Sequence, residues 1–177
     1  MSTTYFSWTY PVDPASIESG AQAVLDALQG ATAQDDLVRD ESRGDWYLGA
    51  AEKMARNIAP VALRFLDRTY DSRVVDPTGQ PWAVSTLMAR ALPAAVAALD
   101  EVFDRTRTAP ATMLPYFGGD GSTEDDIRQA ISCPNEVDGD EGLGPGYLFD
   151  HLEQLRNLLK RASDAGLAIA HVRYLYE

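Results

Sequence analysis

The sequence predicts an α+β fold: one mostly helical domain over residues 1–177, with about five helices and a small sheet made by the N- and C-terminal strands. Three observations carry this. The chain begins on a period-two segment that puts Phe6, Trp8 and Tyr10 on one face and Tyr5, Ser7 and Thr9 on the other. It ends on a second extended apolar segment, Leu167 to Tyr176, straight after a helix stop at Gly166. Between the two, apolar residues recur at helical spacing. A sheet of the two termini, covered by helices on one side, buries both apolar faces together. An all-α arrangement with extended ends is the alternative.

Pro11 closes the first strand. Asp13-Pro14 then opens a helix, a carboxylate cap followed by a proline preset for the first turn. Ile17, Ala21, Val24, Leu25 and Leu28 form its apolar stripe, and Gly30 is its expected stop. Residues 31–45 are polar and acidic and read as a loop. A second helical stretch runs from Trp46 to Thr69 and a third from Ala83 to Asp104, interrupted by Pro60 and Pro93. Proline removes a helical hydrogen bond and clashes with the preceding turn, so each marks a kink or a boundary that splits the stretch. Arg73-Val74-Val75 reads as a short strand and Asp76-Pro77-Thr78-Gly79 as a turn. Residues 106–121 form a loop, Ser122 caps a short helix, and residues 133–146 form a second loop. The last helix, Tyr147 to Ala165, buries Phe149, Leu152, Leu155 and Leu159.

Charge narrows the function. Fifteen basic residues against 27 acidic give a net charge of −12. A phosphate-tracking surface needs lysine and arginine to displace counterions, so nucleic acid is disfavoured, and anionic lipid likewise. No lysine or arginine precedes Arg39, and no apolar run approaches the ~20 residues a membrane helix requires, so no membrane partner is expected. A lone cysteine, Cys133, forms no intrachain disulfide, which points to a reducing, cytoplasmic setting. One cysteine and two histidines exclude the usual zinc cages.

The chemical motifs fail one by one. Cys133 with His151 or His171 and Asn135 would resemble a thiol triad, but the surrounding carboxylates oppose a thiolate, and Cys133 reads as dispensable. Gly118-Gly119-Asp120-Gly121-Ser122-Thr123 has the glycines of a phosphate cradle without its lysine, and with Asp120 and Glu124 repelling an anion. Glu136, Asp138, Asp140 and Glu141 alternate as in a calcium loop, yet counting from Asp138 puts Gly142 fifth instead of sixth. Both histidines lie on or next to apolar stripes and read as core-edge residues. No catalytic residue, metal site or cofactor is therefore assigned.

What stands out is the placement of charge. Residues 120–150 hold nine acids and one base, Arg128, so they carry −8 of the chain's −12. Tyr116 and Phe117 stand at the head of this stretch. Charge steers encounter and aromatic rings supply contact area. The expected function is a non-enzymatic, inhibitor- or immunity-like acidic binding protein that engages a basic protein partner. Its expected contact residues are Tyr116, Phe117, Asp120, Glu136, Asp138, Asp140 and Glu141. The alternative is a small hydrolase using carboxylates and a divalent cation.

Overall fold

A computed structural model describes residues 4–43, 50, 53–54, 56–67, 70–117, 123–132 and 145–175. The terminal strands β1 (Thr4–Val12) and β5 (Ala168–Tyr174) pair antiparallel, with Trp8 opposite Val172 and Tyr10 opposite Ala170. They form the middle of a larger sheet than the two termini alone would give. Three further strands, β2 (Val38–Arg43), β3 (Ser72–Val75) and β4 (Pro81–Leu87), complete a five-stranded antiparallel sheet in the order β2-β1-β5-β4-β3.

β1 continues through Pro11, the expected stop. Its pairing with β2 ends at Thr9 opposite Val38, so beyond that point β1 has one open side, where a strand proline is tolerated. Asp13 Oδ1 then accepts the Ala15 N–H at 2.8 Å and caps α1 (Pro14–Glu18). α2 (Ala21–Gln34) runs past Gly30, contrary to the expected stop. An interior glycine costs about 1 kcal/mol relative to alanine. The extra turn inserts Ala31 into the core, and Asp35 ends the helix in the left-handed conformation at φ 53°. The expected loop after it is the edge strand β2, which sets Arg39 at the surface.

The two prolines mark boundaries. Helical residues between 50 and 57 give way to turns around Pro60. The third stretch is not one helix: residues 81–87 are β4, a 3-10 turn follows at Ala89–Ala91, and α3 (Leu92–Thr108) begins with Pro93 in its first turn. No intrahelical partner is needed by an N–H there, so proline fits. The expected loop over 106–121 instead holds the end of α3, a 3-10 turn at Pro110–Met113 and α4 (Leu114–Phe117). α5 (Glu124–Ser132) and α6 (Pro145–Asp164) follow, and Gly166, at φ +70°, turns the chain into β5.

Helices cover both faces of the sheet, not one. Tyr10, Val12, Val84, Ala170 and Val172 pack against Val24, Leu25 and Ala31 of α2. On the opposite face Leu87 and Ile169 pack with Leu99, Ile127, Leu152 and Leu159 from α3, α5 and α6. Alternation along β5 explains this, since six of its seven residues are buried. Along the α2 side the rings of Phe6, Trp8, Trp82 and Tyr174 form a cross-strand ladder with centroids 5.3–6.0 Å apart. Among the described residues no helix is long and apolar enough to cross a membrane.

Candidate functional site

Tyr116 lies on α4, half-buried against the core of the α6 side. Phe117 is the last residue of that helix, and its side chain lies outside the described structure. Asp120, Cys133, Asn135, Glu136, Asp138, Asp140 and Glu141 also lie outside the described residues. Of the acidic stretch, α5 and the start of α6 are described. Ile127 and Ala130 anchor α5 in the core, so its first turn presents Glu124, Asp125 and Asp126 outward.

Thr123 caps α5, and Ser122, the expected cap, lies outside the described residues. Asp126 Oδ2 accepts the Thr123 N–H at 2.6 Å and its hydroxyl at 2.8 Å, while the Asp126 N–H donates back to Thr123 Oγ1 at 3.3 Å. The two bonds from Thr123 hold the Asp126 carboxyl below its ordinary pKa. Arg128 donates to Asp125 at 3.1 Å and to Glu124 at 3.2 Å. The one base of the segment is thus bound by its own helix, and Asp150 accepts from Gln154 at 2.7 Å.

A polar constellation that sequence reasoning did not assemble sits inside the fold. On the α6 side of the sheet, Ser7, Thr9, Asp40, Ser85, His171 and Arg173 are all buried. Register places Thr9 and Ser85 on either side of His171, and Asp40 and Arg173 on either side of Ser7. His171 Nδ1 lies 2.9 Å from Thr9 Oγ1, its ring meets the edge of Phe65 at 6.3 Å, and among the described residues its Nε2 has no hydrogen-bond partner. Burial, then the neighbouring Arg173 charge, push its pKa down to about 3. Arg173 Nη2 donates to the Asp67 carbonyl at 3.0 Å.

Asp40 Oδ1 accepts the Tyr147 hydroxyl at 2.6 Å and so ties β2 to α6. Both ring nitrogens of His151 lie 3.0 Å from backbone carbonyls, of Tyr147 and Arg39. His151 thus sits between helix and sheet, deeper than the expected core edge. With 1% of its surface exposed, His171 is closed to a substrate and neutral near pH 7; it fastens strands together. The signal for this set was weak. Period two in β1 puts Ser7 and Thr9 on one face, but a single strand does not reveal that the polar face is covered.

Among the described residues no three side chains of the histidine, cysteine, aspartate and glutamate types are grouped so as to hold a metal ion. No protein-family model, curated protein or solved structure matches this chain.

Proposed function

We propose that the chain is a non-enzymatic acidic binding protein that engages a basic protein partner through the 116–150 surface. The observation that carries the reading is the net charge of residues 120–150, −8, with their only base bound to Glu124 and Asp125. A field of that size reaches about 8–10 Å at physiological salt and speeds encounter with a cationic surface. Charge alone gives weak, salt-sensitive attachment, so Tyr116 and Phe117 are assigned the anchoring role.

The test immobilises the full chain and collects proteins retained from a lysate at low salt, then measures association kinetics with the retained species. Glu136→Gln, Asp138→Asn, Asp140→Asn and Glu141→Gln together should slow association and flatten its salt dependence. Tyr116→Ala with Phe117→Ala should mainly speed dissociation. An unchanged on-rate and salt slope in the fourfold variant overturns the assignment and makes the acidic stretch a solubility device.

A further inference from the structure

We infer that the groove between α2 and the turn joining β3 to β4 binds an alkyl cation, an ammonium or guanidinium head on an apolar stem. The cavity measures about 310 Å³, at the small end of ligand sites, and Gln22, Leu25, Asp26, Leu28, Asp76 and Trp82 line it. It lies on the opposite side of the sheet from Tyr116 and is independent of the function proposed above.

The turn builds one wall. Asp76 Oδ1 accepts the Thr78 N–H at 2.8 Å, the Thr78 hydroxyl at 2.6 Å and the Gln80 N–H at 3.0 Å. Its Oδ2 accepts the indole N–H of Trp82 at 3.0 Å. The indole is therefore fixed at one end by Asp76 and braced by the rings of Trp8 and Tyr174 at 5.3 and 5.5 Å. Oδ2 accepts only the indole bond among the described residues, and a carboxylate oxygen has a second lone pair, so Oδ2 retains an acceptor position for a ligand. The same bonds, led by those from Thr78 and Trp82, hold the Asp76 pKa down at about 2, so its charge persists throughout the neutral range.

α2 supplies the second carboxylate. Asp26 is exposed, and its Oδ1 accepts from Gln22 at 2.8 Å. Neither Asp26 nor Asp76 pairs with a lysine or arginine among the described residues, whereas Asp36, Asp67, Asp71 and Asp100 each bind an arginine. Two uncompensated negative charges, aliphatic walls from Leu25 and Leu28, and an indole whose ring quadrupole attracts cations together select a positive head with a hydrocarbon stem. An anion is repelled, and a neutral alcohol of equal length gains only the stem contact.

Two-dimensional amide spectra of the full chain test this through the Trp82 indole N–H and the Thr78 and Gln80 amides. Titration with n-butylammonium or n-butylguanidinium should shift these signals saturably, with Kd on the order of 1–10 mM, and butyrate should not. Asp26→Asn, an exposed change that spares the fold, should weaken binding about two- to fivefold. A blocked Gly-Arg-Gly peptide separates the two sources of such a cation. Binding as tight as that of n-butylguanidinium assigns the site to a side chain of another protein; binding of the free cation alone assigns it to a small molecule. The inference is overturned if n-butanol shifts the same signals as strongly as n-butylammonium, if Asp26→Asn binds unchanged, or if no cation saturates by about 100 mM.

Discussion

Lowering the pH from 8 to 5 probes how His171 is held. The unfolded ring has the ordinary pKa near 6.5, and in the folded chain burial and the Arg173 charge bring it to about 3. Between these values the unfolded state binds a proton that the folded state refuses. Stability therefore rises with pH through this window and is lost as the pH falls below about 6.5. At pH 5 the unfolded ring is almost fully protonated and the folded ring is not, a difference of about 2 kcal/mol from this one group. Asp76, lowered from 3.8 to about 2, acts in the same sense in a lower window: its contribution is complete above its unfolded value and is lost only as the pH drops from about 4 towards 2. The interval from 8 to 5 thus separates the histidine from this carboxylate.

The assay is denaturant unfolding at pH 8, 7, 6 and 5 for the wild type and His171→Asn. Asparagine keeps a polar atom near the position of Nδ1 for the Thr9 hydroxyl and does not titrate. Whatever the variant costs at pH 8, its loss on acidification should be smaller than the wild type's by about 2 kcal/mol, or about 4–8 °C in Tm for a chain of this length. Parallel stability curves for the two proteins would refute the argument. So would a folded-state ring titration of His171 with a midpoint above 5.

Three further outcomes follow from the same geometry. Thr9→Val alone strips the His171 ring of its Thr9 hydrogen bond and should cost about 1–3 kcal/mol, whereas Thr9→Val combined with His171→Leu removes both polar partners and should cost less than the two single changes added; additive losses in denaturant melts argue against the pairing. Pro93→Ala should change stability by less than about 1 kcal/mol, because the proline occupies the first turn of α3; a gain near 3 kcal/mol would place it in a helix interior. Removing residues 1–10 takes away most of the strand between β2 and β5, and the shortened chain should show no cooperative unfolding by circular dichroism.

The terminal strands, the Asp76 turn, the Asp13-Pro14 helix start and the Gly166 stop were legible in the sequence because each rests on a local rule. β4 was not, because Ala83, Leu87, Met88 and Leu92 fall at spacings that a helix stripe also produces. The competing alternation of Trp82, Val84 and Thr86 prevails only when β3 and β5 are present to pair with it. β2 was hidden for a related reason. Val-Arg-Asp-Glu-Ser-Arg has one apolar residue, and its strand character comes from hydrogen bonding to β1, a neighbour set by tertiary structure. Of the predicted contact surface, the charge asymmetry was countable from the sequence, while the commitment of Arg128 to Glu124 and Asp125 needed the helix geometry.

The same distinction explains why helices were expected on one side of the sheet alone. α6 alone buries Leu148, Phe149, Leu152, Leu155, Leu158, Leu159 and Ala162, and α3 adds Leu92, Ala95, Leu99, Val102 and Phe103. At about 25 cal/mol per Å² of apolar surface, two such helices lose far more by facing water than a few hydroxyls lose by leaving it. Some sheet surface has to receive them, and α2 already covers the Tyr10 face. Ser7, Thr9 and Ser85 are therefore buried by the demand of the helices above them. Asp40, His171 and Arg173, enclosed with them, persist because Tyr147, Thr9 and the Asp67 carbonyl provide hydrogen-bonding partners at 2.6, 2.9 and 3.0 Å.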